Sequence, residues 1–344
     1  MYIYATPSQG KQWHQAECPV NSKTCDTNLP ANCAGQHEAK APQKGLATAS
    51  ILLLILSLFT GFAAQAQTSQ ETSVVYKSIS PATNHYKTIG ATDAAAKGGN
   101  KEGVVFPTKD FRRGVYLKLR NVYLDVPIES FKIKPYPANS SAQTRAELDF
   151  LLELQQKRTA KDIARTDTMA NMYHDPFIIN LTDPDYRRNV KSLFYVGRNL
   201  GPWFTPEKLP ITSYVLQNVI QDATYYLYTL KVKYNRARPY QLEPALKNLE
   251  APGHASYPSD HSSFSHVHAY LLSYIFPEYK TQFMGNAYDM AFSREIRGVN
   301  YPSDSEAGKE FAQQFIEQLM KSKKFQADLE AMKTELARVK SQNT

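Results

Sequence analysis

Cysteine is nearly missing from this chain. Three occur in 344 residues, Cys18, Cys25 and Cys33, and all precede the most apolar segment. The rest of the chain therefore has no disulfide framework and depends on a packed core. The C-x6-C and C-x7-C spacings do not fit a compact zinc site. Long hydrophobic runs are equally scarce, with one strong case at Ile51–Phe62, which excludes a polytopic membrane protein. No repeat of about 20–50 residues is visible, which argues against a solenoid or propeller. Acidic residues fall short of basic ones, 32 against 40, leaving +8. That balance suits an anionic ligand or surface without choosing between them.

Between Lys44 and Glu71 there is no charge, and Ile51–Phe62 follows Lys40 and Lys44 and leads to Ala64-Gln65-Ala66. A short apolar region behind lysines and ahead of an A-x-A site is the pattern of an export signal, so cleavage is expected after Ala66. An uncleaved anchor competes with this reading, because the uncharged stretch could just span a bilayer of roughly 30 Å. Both place the following domain outside the cytoplasm, periplasmic or secreted. Residues 1–43 are long for the region ahead of a signal, as if translation were assigned from too far upstream.

The expected organisation is a leader and signal over 1–66, a linker and N-terminal extension over 67–134, a helical domain over 135–321 and an amphipathic helix over 322–344. Partial alternation around Val115-Tyr-Leu-Lys-Leu allows a short hairpin or irregular structure in 104–134. Ser140-Ser-Ala-Gln143 fits a capping box opening a helix over 141–157. Thr159 with Asp162 starts another, and Asp183-Pro184 precedes one over 185–197. Val215, Val219, Ala223, Leu227 and Leu230 recur at helical spacing within 211–234, with further apolar residues on a second side, so this helix should be central. Helices are also expected from Asp260 to Phe276, over 284–297 and over 305–321. Phe325, Leu329, Met332, Leu336 and Val339 make the tail amphipathic, with lysines opposite. The fold class is all-α.

Three segments concentrate chemistry: Lys231-Val-Lys-Tyr-Asn-Arg-Ala-Arg238-Pro239, Tyr257-Pro258-Ser259-Asp260-His261, and Ser293-Arg294 through Asn300 to Asp304. Converging, they would offer Lys231, Arg238 and Arg294 as cations, Ser259 and helix-start N–H groups as donors, and His261 as a titratable group. A phosphoryl group needs such donors distributed around its oxygens. The segments resemble the three-part signature of the PAP2 phosphatase superfamily, K-x6-R-P, P-S-G-H and S-R-x5-H-x3-D, which includes bacterial class A acid phosphatases and vanadium haloperoxidases. Pro137-Ala-Asn-Ser-Ser-Ala-Gln-Thr-Arg-Ala-Glu-Leu also resembles the opening of the helical domain in soluble acid phosphatases.

The resemblance implies an all-α bundle of PAP2 type with its site between helices. It implies His261 as the general acid that protonates the leaving oxygen and Asp304 as the orienter of the nucleophile. Lys231, Arg238, Ser259, the Asp260 position and Arg294 would hold phosphate. No cofactor or metal is implied, and the partner is a phosphorylated small molecule or inorganic phosphate. Two positions depart from the pattern. Asn300 stands where the family has its nucleophilic histidine, and Asp260 where it has glycine. An amide has no basic lone pair comparable to imidazole and cannot plausibly form a phosphoenzyme. Losing the nucleophile of a covalent mechanism can cost on the order of 10⁶ in turnover.

The expected function is thus that of an exported acid phosphatase-like hydrolase of phosphomonoesters with weak activity. Its rivals are a pseudophosphatase that binds without turnover and a lipid phosphate hydrolase at the membrane surface. His254, His266 and His268 lie near the second motif, but His268 is about 10 Å along the helix from His261. An aspartyl nucleophile at Asp260 is a lesser alternative, and a metal held by Asp260, His261 and Asp304 is opposed by Lys231, Arg238 and Arg294, which would repel a cation. Tyr225, Tyr226 and Tyr228 read as packing and rim residues. The basic run Lys231, Lys233, Arg236 and Arg238 lacks a recognition motif for nucleic acid, and membrane contact is expected only through an uncleaved anchor.

Overall fold

The computed structural model describes residues 101–173 and 175–343. The apolar leader, its cleavage site and the linker up to residue 100 lie outside the described residues. Those that are described belong to one unit, Ser69–Thr344, and are all-α: α1 Ala142–Lys157, α2 Ala160–Ala170, α3 Tyr186–Ser192, α4 Pro210–Tyr234, α5 Pro239–Leu242, α6 Asp260–Ile275, α7 Lys280–Ile296, α8 Pro302–Leu319 and α9 Lys323–Ser341. Among the described residues there is no named strand, and one isolated bridge joins Val105 to Arg236. No described helix is long and apolar enough to cross a membrane.

Most starts follow from local chemistry. Thr159 and Asp162 form the expected reciprocal capping box. The cap of α1 is Ser141, whose hydroxyl accepts from the Thr144 amide, one residue later than the Ser140–Gln143 spacing suggests. α8 begins at Pro302 rather than 305, because the Asp304 carboxylate accepts the Tyr301 N–H at 2.9 Å and closes the first turn. α3 ends at Ser192, short of 197: Leu193, Phe194 and Val196 turn into the core, and a Cβ on Gly197 would lie 2.3 Å from the Phe204 ring. α4 ends at Asn235, in the left-handed region at φ 47°, a conformation its short polar side chain tolerates.

α4 is buried on several sides, with Val215, Leu216, Val219, Ile220, Ala223, Leu227 and Leu230 inaccessible to solvent. α6 is enclosed more completely. It packs against α7, α8 and α4, and every residue from His254 to Ala269 is buried. The tail helix α9 places Phe325, Leu329, Met332, Leu336 and Val339 in the core and packs on α4. Its Glu335 carboxylate accepts the Ile211 and Thr212 amides and the Thr212 hydroxyl at 2.7–2.9 Å. A negative group there satisfies donors that a helix start leaves unpaired.

Residues 104–134 take the irregular form, with 3₁₀ turns at Thr108–Asp110, Gly114–Lys118 and Ile128–Ser130. Three consecutive amides are not free to pair as a hairpin. Those of Val122, Tyr123 and Leu124 all donate to the Asp222 carboxylate of α4, at 2.6, 2.8 and 2.9 Å.

One glycine fixes how closely two functional elements meet. A Cβ on Gly308 of α8 would lie 2.7 Å from the Ser259 carbonyl oxygen and 2.9 Å from the Ser262 Cβ. Gly308→Ala is therefore expected to destabilise the fold by about 1–3 kcal/mol through overpacking. Thermal unfolding checks this, and a midpoint at or above that of the wild type would contradict it.

Candidate anion site

The three sequence segments meet. Arg238, the N-cap of α5, directs Nη1 to the Val299 carbonyl at 2.8 Å and to the Asn300 amide oxygen at 3.1 Å. Its Nη2 lies 2.9 Å from His254 Nδ1. Asn300 donates to the Ser256 carbonyl at 2.9 Å and to Asp304 at 3.1 Å. Ser256 donates its hydroxyl to Asp304 at 2.5 Å, and the Ser259 amide donates to the Asp304 carbonyl at 3.0 Å.

Convergence does not leave every group free for a ligand. Lys231 donates to the carbonyls of Ala255, Ser256 and Pro258 at 2.6–3.3 Å. Burial, partly offset by Asp260, lowers its pKa to about 7. Ser259 accepts from the Ser262 amide as the cap of α6. Lys231, Arg238, Ser259, Asn300 and Asp304 thus form an interior network whose donors are directed at protein acceptors.

A second group faces a cavity of about 300 Å³, lined by Arg294, His261, Asp260 and His254 together with Glu250, Arg113, Tyr116, Tyr173 and Tyr228. Arg294 is 3% exposed. It reaches Glu250 through Nη2, while its Nε and Nη1 have no hydrogen-bond partner among the described residues. Two buried guanidinium donors beside a cavity constitute an unfilled demand for an acceptor. His261 Nδ1 lies 3.7 Å from Asp260 and its Nε2 3.4 Å from the Ala170 carbonyl, with its ring edge-on to Tyr173 at 4.4 Å. Burial and Arg294 lower its pKa below the ordinary histidine range, against the pull of Asp260.

Asp260 occupies the space between the two groups. Its carboxylate approaches Lys231 at 3.9 Å, His261 at 3.7 Å, His254 Nε2 at 3.4 Å and the Tyr228 hydroxyl at 3.4 Å. Burial pushes its pKa up, but Lys231 and the two histidines outweigh this and hold it well below the usual carboxylate range.

Sequence reasoning gave four contributors no place in the site, although it weighed His254 beside the second motif and Arg236 in the basic run. His254 joins Arg238 to Asp260, with Nδ1 facing the guanidinium and Nε2 facing the carboxylate. Arg236 is fully buried and donates to Asp304 at 2.7 Å, to Ser303 at 2.7 Å and to Glu147 at 3.3 Å. Arg113 and Tyr116, from the irregular N-terminal stretch, close the cavity wall. Nothing in local spacing marks these residues; an arginine two positions before Arg238 reads as one more surface charge. His266 hydrogen-bonds Ser262 at 2.8 Å, and burial lowers its pKa to about 4. Neither it nor His268 lines the cavity.

Fold and site together define an all-helical domain in which three sequence segments knit one polar centre beside an arginine-bearing cavity. Residues 210–311 match the PAP2 superfamily model. The chain is similar to a non-specific acid phosphatase of Providencia stuartii, 30% identical over 142 residues, which cover 40% of this chain and 57% of that protein. A non-specific acid phosphatase of Salmonella typhi is 31% identical over 158 residues, covering 43% and 61%. The chain therefore spans roughly three-fifths of the length of these curated relatives. Among solved structures, the first bacterial vanadium-dependent iodoperoxidase superposes with a TM-score of 0.48 at 16% identity, covering 69% of this chain and 63% of that one.

Proposed function

We propose that this protein is an exported, acid phosphatase-like protein that receives phosphomonoesters in the cavity bounded by Arg294 and His261 and hydrolyses them slowly. The observation carrying the reading is the pair of buried Arg294 donors without a partner among the described residues, beside His261 on a polar cavity. In this reading Arg294 holds the phosphoryl oxygens, water attacks phosphorus directly, and His261 protonates the leaving oxygen as the ester P–O bond breaks. Lys231, Arg238 and Ser259 brace the loop over 255–259 and the start of α6, and Asp304 orients position 300. Export rests on the apolar segment ending at Ala64-Gln65-Ala66, and residues 135–321 form the phosphatase-like domain.

Slow turnover follows from Asn300, which lacks a nucleophilic nitrogen while keeping contacts to Arg238 and Asp304. A second reading, ligand binding without turnover, is favoured by the Asp260 carboxylate, which places negative charge beside the anion's position. Hydrolysis of a chromogenic phosphate ester by the full chain separates the two. Slow release that His261→Ala abolishes supports the hydrolase, whereas ester binding without release supports the binder. Because burial and Arg294 depress the His261 pKa, its acid form is populated only below the usual histidine range. The release rate is expected to fall as pH rises through that lowered value. A rate rising towards neutrality would exclude His261 as the acid.

A further inference from the structure

The Asp260 carboxylate is in charge balance, yet its capacity to accept hydrogen bonds is largely unspent. Its four polar neighbours stand at 3.4–3.9 Å, whereas charge-assisted hydrogen bonds close to about 2.7–2.9 Å. An ionised carboxylate is an acceptor and nothing else, with about four lone-pair positions. The same cavity carries the opposite demand in Arg294, whose Nε and Nη1 are buried donors without acceptors among the described residues. A bare anion answers Arg294 and opposes Asp260. A cation answers Asp260 and opposes Arg294.

One ligand chemistry satisfies both: a tetrahedral oxyanion that still carries a proton. In a monoprotonated phosphoryl group the charged oxygens accept from Arg294 while the P–OH donates to Asp260. Sulfate has nearly the same shape but no proton to give, so one of its oxygens would lie against the carboxylate. Resting on the anion-site reading above, we infer that Asp260 makes this cavity selective for proton-bearing phosphoryl groups over fully deprotonated oxyanions. The carboxylate at the motif's glycine position is thus a specificity determinant, and the missing donor is supplied by the ligand. A site built to accept a ligand hydroxyl rejects the analogue lacking it strongly, because the buried acceptor is left unpaired.

Calorimetric titration of the full chain with inorganic phosphate and with sulfate tests this at about pH 5, where a phosphoryl group keeps a proton and sulfate has none. The wild type is expected to bind phosphate at least about 100-fold more tightly than sulfate. Asp260→Asn keeps the size but can donate, and should bring the two affinities within about tenfold by strengthening sulfate binding. Asp260→Gly should do the same, and if it fails to fold by circular dichroism, Asp260→Asn carries the test. Equal wild-type affinities, with Arg294→Ala weakening both anions, would overturn the inference and leave the anion site standing. Loss of both anions in a folded Asp260→Asn variant would overturn it too. If neither anion binds the wild type, the inference and the anion-site reading both fail.

Discussion

Asn300→His is expected to raise phosphomonoester turnover by on the order of 10³ or more, the largest functional change a single substitution should produce here. The surroundings of position 300 are already those of a supported nucleophile. Asp304 lies 3.1 Å from the Asn300 amide nitrogen and is itself held by Ser256, Tyr301 and Arg236. Arg238 lies against the other side of the amide. What the amide lacks is a basic lone pair, and imidazole restores it. Asp260 remains in this variant and repels an incoming dianion, so Asn300→His combined with Asp260→Gly should exceed the single change. The kcat for a chromogenic ester is the measurement. A rate unchanged in both variants, with folding intact, would mean that the interior network is too far from the bound ester to act on it.

The largest structural effect is expected from Arg236→Ala. This guanidinium is fully buried between the carboxylates of Glu147 and Asp304 and lies 3.7 Å over the Tyr301 ring. Removing it leaves two buried acids without their cation, a loss of about 3–5 kcal/mol, or roughly ten degrees of thermal midpoint in a domain of this size. Arg236→Lys should recover only part, since an ammonium cannot reproduce the fork that spans both acids. The pH dependence adds a second check. Burial, only partly offset by Arg236, raises the Glu147 pKa from 4.5 to about 6. The folded state then binds this proton more tightly than the unfolded chain, so the Glu147 share of stability rises as pH falls from above 6 towards 4.5. Glu147→Gln should flatten that part of the stability curve. A variant Arg236→Ala as stable as wild type would remove the clamp from the description altogether.

The helices were legible where periodicity and caps acted locally: α2 from Thr159 and Asp162, α4 from its apolar spacing, α9 from its four-and-three step. Boundaries slipped where a distant or dual-purpose side chain intervened, as at α8, where Asp304 serves the polar centre and the helix start at once. The irregular stretch 104–134 could not be read from its own residues, because its amides are satisfied by distant partners, those of Val122, Tyr123 and Leu124 by Asp222 about a hundred positions away. The candidate site was legible as a set of motif residues that converge. Its division was not. Which cations face the cavity and which are consumed by carbonyls depends on where the loop over 253–259 runs, and spacing carries no record of that. His254, Arg236 and Arg113 lie outside the motif pattern for the same reason.

The Asp222 latch has a consequence for where this protein can be cut. It fastens residues 122–124 to α4, and Arg113 and Tyr116 of the same stretch line the cavity. A fragment trimmed to residues 210–311 would keep all three motifs and lose that side of the chamber, leaving Arg294 and His261 open to bulk water. The upstream arm is thus a wall of the cavity rather than packaging around it.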